Sequence, residues 1–203
     1  MSRPSAVVFD VGKVLYDWEP RFLYERLIPG EALDAFLRDV VTHEWHFQHD
    51  AGRPFAETSA ELTAQYPQHA ALIAAWGERF LESVGDPIAG MADLVTALDA
   101  VGVPLYAITN FSAEFWPPFR AREAALFDRF RGIVVSGDER LVKPEAAIYR
   151  LALARFGLAA DEAVFVDDRA ENVAGAAAVG MHALLFTDTP TLRHDLQSLG
   201  FAL

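Results

Sequence analysis

VVFDVG (residues 7–12) decides the fold, because it joins a short apolar run directly to a single carboxylate, Asp10. An apolar run without strict alternation is typical of a strand that is buried on both faces of a parallel sheet. Asp10 leaves this strand at its carboxyl end, which is where parallel sheets bind their ligands. The stretch therefore predicts a central strand with a reactive polar group at its end.

Four later apolar runs resemble this one, at residues 104–108, 132–135, 163–166 and 182–186. Helical patterns separate or follow them at residues 91–100, 144–156, 170–179 and 189–199, the last with Thr189 as its predicted N-cap. Strands that alternate with helices in this way predict an α/β fold with a doubly wound parallel sheet.

The segment between the first and second strands breaks this alternation. Residues 16–87 contain no convincing strand pattern and favour helices at 20–27, 31–41, 54–65 and 68–84. We interpret the segment as a helical cap domain (16–87) over the carboxyl edge of a core domain (1–15 and 88–203). An ordinary helical decoration of the core is the alternative.

Composition limits the possible partners. A chain of 203 residues suits one domain with a smaller insertion, and its net charge of −12 argues against binding to nucleic acid or to an anionic membrane. Cysteine is absent, which excludes disulfides and thiolate metal sites. No run approaches the ~20 apolar residues of a membrane span. We expect a cytoplasmic protein with a small-molecule anionic substrate, and either a monomer or a homodimer.

Asp167 and Asp168 also end an apolar run, so they are expected at the same sheet edge as Asp10. Adjacent carboxylates are costly unless a cation neutralises them. Mg²⁺ prefers a few carboxylates together with water and a substrate phosphate. The pair therefore favours a magnesium site, in which one acid holds the metal and the other orients ligands or binds Lys143. Alternatively, Asp168 caps the helix that begins near residue 170.

Thr109 and Asn110 follow the second strand, and Lys143 precedes a predicted helix at Pro144. A hydroxyl and an amide at a strand end can bind phosphoryl or carboxylate oxygens. A lysine there can neutralise both a nucleophile and the group that it attacks. Each of these signals is also ordinary on its own, as turn chemistry or as a solvated lysine.

The ordered set VVFDVG, LYAITN, LVKP and VFVDDRAENV resembles the four motifs of the haloacid dehalogenase (HAD) superfamily over nearly the whole chain. The insertion after the first motif is similar to the C1 helical cap of that superfamily. FDVGKVLYDWEP and VDDRAENV look most like its sugar-phosphatase-like subgroup. The resemblance implies a HAD Rossmann-like core in which Asp10 is the nucleophile that forms an aspartyl intermediate. It also implies that Thr109 binds the transferred group, with Asn110 beside it, and that Lys143 stabilises the charge. The implied Mg²⁺ ligands are Asp10, the Gly12 carbonyl, Asp167 and Asp168.

One position departs from the pattern of the superfamily. HAD phosphatases usually carry a second Asp two residues after the nucleophile as general acid and base, and Gly12 stands there instead. The backbone carbonyl can still bind metal, but the proton-transfer side chain is missing, a contribution of typically ~10²–10⁴-fold. Lys13 replaces a usually small residue. It either reaches the site as a second cation or, as we favour, lies along the surface.

The predicted cap contains a run that is dense in imidazole and aromatic groups, THEWHFQHDAGR (residues 42–53). One interpretation is a specificity lid, with Trp45, His46 and Arg53 as substrate-binding residues. The other is a solvated helix with Trp45 and Phe47 in the core of the cap. Further candidates are His43, Phe47 and His49 for the lid and Phe111, Phe115 and Trp116 for an apolar wall after the Thr109 motif.

Three functions remain open at this stage. The first is a Mg²⁺-dependent phosphatase of a small phosphomonoester, for instance a sugar phosphate, which the Asp167–Asp168 pair favours. The second is a metal-free 2-haloacid dehalogenase, which Gly12 favours and Asp168 opposes. The third is a weakly catalytic or inactive HAD-fold binding protein, which Gly12 and Lys13 allow. We rank them in this order.

Overall fold

The fold is described by a computed structural model, which covers residues 3–203. The strands are β1 (Ala6–Phe9), β2 (Tyr16–Trp18), β3 (Val84–Pro87), β4 (Leu105–Thr109), β5 (Gly132–Val135), β6 (Ala163–Asp167) and β7 (His182–Leu185). Five of them form one parallel sheet in the order β5-β4-β1-β6-β7, with β1 in the centre. The predicted doubly wound α/β fold is confirmed, and all five predicted core strands are present.

The helices follow the strands in the alternation that the sequence predicts, and the four core helices begin and end within two residues of their predicted bounds. In chain order the α-helices are α1 (Pro20–Tyr24), α2 (Glu31–Asp39), α3 (His43–Asp50), α4 (Phe55–Gln65), α5 (Ala70–Arg79), α6 (Met91–Ala100), α7 (Trp116–Arg122), α8 (Ala124–Phe127), α9 (Ser136–Glu139), α10 (Ala146–Phe156), α11 (Ala170–Ala178) and α12 (Thr189–Ser198).

Alternate residues of β1 belong to two separate apolar clusters, one on each face of the sheet. Val7 and Phe9 share a cluster with residues of α6 and α12. Ala6 and Val8 share the other with residues of α10 and α11. Because both faces are covered, every residue of β1 is fully buried, which explains why the run is continuously apolar.

The inserted segment, residues 16–87, contains two strands that we did not predict. β2 and β3 pair antiparallel at its two ends, with Tyr16 opposite Pro87 and Trp18 opposite Val84. The prediction of no strand was wrong because these strands are only three and four residues long and their stability comes from pairing across almost seventy residues of chain.

The predicted helices also omitted α3. Its apolar residues do not gather on one face, so the segment lacks the periodicity that identifies an amphipathic helix. Thr42 caps it, since its hydroxyl accepts a hydrogen bond from the Trp45 backbone N–H at 3.1 Å. The N-cap of α12 likewise needs correction. Asp188 caps this helix by accepting from the Thr191 N–H at 2.8 Å, whereas the Thr189 hydroxyl donates to the Ala89 carbonyl.

The end of α3 is tied to the carboxyl edge of the sheet. The Ser136 hydroxyl, directly after β5, donates to the Asp50 carbonyl at 2.6 Å and accepts from the Phe111 N–H at 2.9 Å. These contacts bring part of the inserted segment to the sheet edge where Asp10 ends β1, although the division into two domains stays a prediction. No helix within residues 3–203 combines the length and apolarity needed to cross a bilayer.

Helix α11 lies unusually close to the segment that carries Lys143. A Cβ on Gly175 would lie 2.5 Å from the Pro144 carbonyl oxygen and 3.0 Å from the Tyr149 ring. We expect Gly175→Ala to lower the free energy of unfolding by about 1–3 kcal/mol through this overpacking, although alanine is the better helix former. Urea denaturation measures the change.

A matched variant measures the effect of helix propensity alone. Ala177 is exposed on the same helix, and Ala177→Gly is expected to lose about 1 kcal/mol from helix propensity. If Gly175→Ala is as stable as the wild type or more stable, the close approach of α11 does not constrain the chain as described.

Candidate active site

Lys143 joins two carboxylates at the carboxyl edge of the sheet. Its Nζ lies 2.7 Å from Asp10 Oδ1 and 2.7 Å from Asp167 Oδ2, and its side chain is only 1% exposed. The two acids end or follow the adjacent strands β1 and β6. Because charges this deeply buried are tolerated only when they are paired, the triad forms one electrostatic unit.

Asn110 positions Lys143 through the backbone. Its side-chain oxygen accepts from the Lys143 N–H at 2.9 Å, and its amide nitrogen donates to the Lys143 carbonyl at 3.1 Å. Asn110 follows β4, the neighbour of β1, so the sheet itself places the lysine opposite Asp10. The predicted substrate contact of Asn110 stays a prediction, since both ends of its amide hold this loop.

Asp167 is oriented by hydrogen bonds from the start of α11. Its Oδ1 accepts from the Arg169 N–H at 2.9 Å, and the Asn172 amide donates to both carboxylate oxygens at 2.9 and 3.1 Å. Sequence reasoning missed Asn172; its signal was an amide five residues after Asp167, in the first turn of the helix. Asp168 does not cap α11, because the N-cap residue is Arg169 and no side chain caps this helix end.

Asp10, Asp167 and Asp168 form an acidic cluster that fits a hard divalent cation. One oxygen of each lies within 4.8 Å of the others. A small set of carboxylate oxygens that leaves room for water and substrate is the donor chemistry that suits Mg²⁺. Gly12 lies at the same cavity, forms a bridge to Tyr16, and has open space around the position that a Cβ would occupy.

Burial dominates the electrostatics of this cluster. It raises the pKa of Asp10 from 3.8 to about 7; Lys143 opposes that rise and Asp167 adds to it. Burial and then Asp167 also raise the pKa of Asp168. A bound cation favours the ionised form of a carboxylate, so the arrangement gains most when a cation joins it.

A cavity of about 440 Å³ opens above this cluster, between the sheet edge and the inserted segment. Its floor is polar and its walls are mainly aromatic and aliphatic. The floor residues are Asp10, Gly12, Asn110, Lys143, Asp168 and Asn172, and the apolar wall residues are Val11, Tyr16, Trp18, Phe47, Phe80, Val84, Phe111 and Phe119. Lys13, His43, His46, Asp50 and Arg169 complete the lining.

The structure brings some of the predicted substrate residues to this cavity and leaves others away from it. His43, His46, Phe47 and Phe111 line it, whereas Thr109 and Asp167 are buried at the sheet edge without lining it. Neither Phe115 nor Trp116 lines it.

Trp45 and Arg53, predicted to bind substrate, do not line the cavity either. The Trp45 indole N–H donates to the Thr58 carbonyl at 3.2 Å, and the Arg53 guanidinium pairs with Glu61 at 2.7 Å. The structure does not bring them to the cavity, because the direction of Trp45 on α3 and of Arg53, which lies beyond the end of α3, depends on packing that sequence does not show.

Lys13 is not a second cation aimed at the nucleophile. Its Nζ pairs with Asp17 at 2.8 Å and with Glu19 at 2.7 Å, and about a third of the side chain is exposed. The favoured surface interpretation of Lys13 agrees with these contacts.

A doubly wound sheet with an acidic cluster and a buried lysine at its carboxyl edge is typical of enzymes whose reactive group is a carboxylate at that edge. The chain belongs to the haloacid dehalogenase-like hydrolase family, whose sequence model matches residues 4–180. It is a HAD-family hydrolase, as the sequence motifs predicted.

Known proteins similar to this chain span more than one activity. The sesquiterpene phosphatase astK of Aspergillus oryzae is 29% identical over 202 residues, which cover 96% of each chain. A HAD family enzyme from Bacteroides thetaiotaomicron in a magnesium complex superposes with a TM-score of 0.75 at 17% identity, over 97% of this chain and 100% of that one. The L-2-haloacid dehalogenase of Xanthobacter autotrophicus, with chloropropionic acid covalently bound, superposes with a TM-score of 0.65 at 21% identity. The match covers 98% of this chain and 85% of that one. The two solved structures share the fold.

The raised pKa of Asp10 predicts a pH-dependent stability. Its carboxyl has a pKa of 3.8 when unperturbed and about 7 when folded, so its contribution to stability is complete below pH ~4 and is lost as the pH rises to 7. Asp10→Asn is neutral at every pH. In metal-free protein, the unfolding free energy of this variant minus that of the wild type is expected to rise by roughly 1–3 kcal/mol between pH 5 and pH 8.

Urea denaturation in the presence of a chelator measures this difference. Asp86→Asn removes an exposed carboxylate from β3 and is the control, with a difference from wild type that should stay nearly constant over the same range. A constant difference for Asp10→Asn as well would mean that Asp10 is ionised throughout, with Lys143 outweighing burial.

Proposed function

We propose that this protein is a Mg²⁺-dependent phosphatase of a small phosphomonoester that acts through an aspartyl-phosphate on Asp10. The observation that carries the proposal is the third acid, Asp168, beside the Asp10–Lys143–Asp167 unit. Displacement of halide by a carboxylate needs no such cluster, whereas a phosphoryl group shared with a cation does. The similarity to a phosphatase over nearly the full length of both chains supports the same assignment.

The proposed reaction assigns each group a task. Asp10 attacks phosphorus and the ester oxygen leaves. Lys143, fixed by Asn110, stabilises the charge on Asp10 and on the phosphoryl oxygens. Mg²⁺, held by Asp10, Asp167, Asp168 and the Gly12 carbonyl, would supply charge neutralisation for the acids and the phosphoryl group. Thr109 would bind the transferred group, as the family resemblance implies.

The cavity walls favour an ester whose alcohol is apolar. Eight apolar or aromatic residues surround the space above the acidic cluster, and its volume of about 440 Å³ suits a small organic ligand. A sugar would place some of its hydroxyls against these rings, where they would lack hydrogen-bond partners, although polar side chains also line the cavity, namely Lys13, His43, His46, Asp50 and Arg169. The relative named a sesquiterpene phosphatase is consistent with an apolar alcohol. We therefore propose an apolar phosphomonoester rather than a sugar phosphate, with no nucleic acid or membrane partner.

Dehalogenation of a 2-haloacid is the second candidate. Two observations favour it: residue 12 has no carboxylate side chain, and the fold matches a dehalogenase that carries its substrate covalently bound. Asp168 opposes it, because a carboxylate facing the cavity repels a haloacid carboxylate unless a cation lies between them.

The first test is phosphate release from a panel of small phosphomonoesters. We expect turnover that requires Mg²⁺, stops with a chelator, and falls by at least about 10³-fold in Asp10→Asn, because the nucleophile is lost. Asp86→Asn, far from the cluster in sequence and exposed, is expected to keep wild-type turnover.

Halide release from 2-chloropropionate in the presence of a chelator discriminates the second candidate. The phosphatase proposal fails if Asp10→Asn and wild type release phosphate equally, or if halide release persists without metal and no ester is hydrolysed.

The second test compares alcohols of opposite polarity. We expect kcat/KM for farnesyl monophosphate to exceed that for glucose 1-phosphate by at least about 10²-fold, since several desolvated hydroxyls distinguish the two. Phe47→Ser, in the cavity wall, should lower the ratio of these two kcat/KM values. Equal or reversed preference would retain the phosphatase and remove the apolar-alcohol assignment.

A further inference from the structure

The proposed phosphatase needs a proton for its leaving oxygen, and residue 12 has no side chain to supply one. Among the residues that line the cavity, few can replace it. Arg169 does not deprotonate in proteins. Lys13 is paired with two acids, and Tyr16 donates its hydroxyl to Glu123 at 2.9 Å. His43, His46 and Asp50 remain, once the acids of the metal cluster are set aside, and the last two lie together.

His46 is paired with a carboxylate one helical turn away. Its Nε2 lies 3.4 Å from Asp50 Oδ2, and both side chains are 8% exposed. Both residues line the same cavity as Asp10. A carboxylate beside an imidazole orients the ring, which is one way that histidines are prepared for proton transfer.

Aromatic rings hold this histidine in place. Trp18 of β2 stacks on the imidazole with ring centroids 4.9 Å apart, Trp76 of α5 contacts it edge-on at 5.1 Å, and Phe80 stacks at 6.1 Å. These three rings carry no formal charge themselves. The charged or titratable groups near the ring are Asp50, His43 and His49.

Two polar atoms of this pair are buried without a partner within residues 3–203. They are His46 Nδ1 and Asp50 Oδ1, and neither carries a hydrogen bond. Buried polar atoms are nearly always satisfied, but His49 Nδ1 and Trp76 Nε1 share this property, so it does not by itself assign a role to the pair. Because His46 Nδ1 is enclosed, a proton that passes from this ring to the cavity leaves from Nε2, the atom that faces Asp50.

His43 is a poorer candidate for the same task. Burial lowers its pKa, and the Arg169 guanidinium lowers it further, so this ring holds a proton less readily than an unperturbed histidine. His49 is neutral near pH 7, because burial lowers its pKa to about 4. It therefore does not oppose a proton on His46.

We propose that His46, oriented by Asp50, is the catalytic acid and base that takes the place of the missing side chain at residue 12. The inference rests on the proposed phosphatase function. As Asp10 Oδ forms its bond to phosphorus, the bond from phosphorus to the ester oxygen breaks, and the imidazolium gives its Nε2 proton to that oxygen to release the neutral alcohol. Neutral His46 then takes a proton from water as the water oxygen attacks phosphorus. The Asp10–phosphorus bond breaks, which releases inorganic phosphate and regenerates both groups.

Two esters of similar size separate this role from a structural one. Benzyl phosphate has a poor leaving group and needs the proton, whereas p-nitrophenyl phosphate has a good one and scarcely needs it. We expect His46→Gln to lower kcat/KM at least about 10²-fold for benzyl phosphate and less than 10-fold for p-nitrophenyl phosphate. His194→Gln, on the exposed side of α12, is the control and should match wild type on both esters.

A second variant tests the replacement directly. A Cβ at residue 12 would meet no atom within 4 Å, so Gly12→Asp can place the missing acid there. We expect Gly12→Asp in the His46→Gln background to recover at least about 10-fold in kcat/KM for benzyl phosphate. Asp50→Asn should show the same dependence on leaving group as His46→Gln, to a smaller degree.

The inference is overturned if His46→Gln affects both esters equally while wild type is active, or if the leaving-group dependence appears in His43→Gln instead. If His46→Gln does not fold, the Asp50→Asn, Gly12→Asp double variant replaces it in the test. The inference is then overturned if this variant folds but does not recover kcat/KM for benzyl phosphate relative to Asp50→Asn. A wild type that hydrolyses neither ester, with Mg²⁺ present, contradicts the proposed function itself.

Discussion

The ammonium of Lys143, held between the carboxylates of Asp10 and Asp167, is the interaction on which the rest of the site depends. Asp10 and Asp167 come together because β1 and β6 are neighbours, and the lysine reaches them because Asn110 fixes its backbone. Removing one member of such a buried unit typically costs about 3–5 kcal/mol, since the remaining charge has no partner. The polar residues around it therefore serve to place one cation among several acids.

The charges of that unit do not balance. One ammonium faces three carboxylates, and burial already raises the pKa of Asp10 to about 7 and that of Asp168 above its usual value. A protonated Asp10 is not a nucleophile, so the same burial that protects the site from water works against its chemistry. The proposed Mg²⁺ resolves this conflict, because a second cation restores the ionised carboxylate at neutral pH.

The sequence was informative where local pattern and function coincide. Buried strands such as β1 and β6 are continuous apolar runs that end in acids, so the sheet, its polar edge and the family could be predicted together. It was uninformative where long-range pairing decides. The β2–β3 pair depends on partners that no local pattern identifies. The contacts of Asn172 with Asp167 and of Asp50 with His46 are close in sequence, but the direction of each side chain depends on packing. The position of Trp45 outside the cavity has the same cause, because the rotation of α3 follows from its packing, and Arg53, beyond the end of α3, pairs with Glu61 instead.

The inserted segment adds an apolar wall to the polar edge of the sheet. Trp18, Phe80 and their neighbours give the space above Asp10 apolar walls, which favours an apolar alcohol in the proposed substrate. The same rings surround His46 and Asp50, and in such a low-dielectric environment the attraction between imidazolium and carboxylate is stronger than in water. Substrate preference and proton transfer are thus linked in this proposal: the apolar surface that would select the alcohol is also the surface that would hold the proton donor against it.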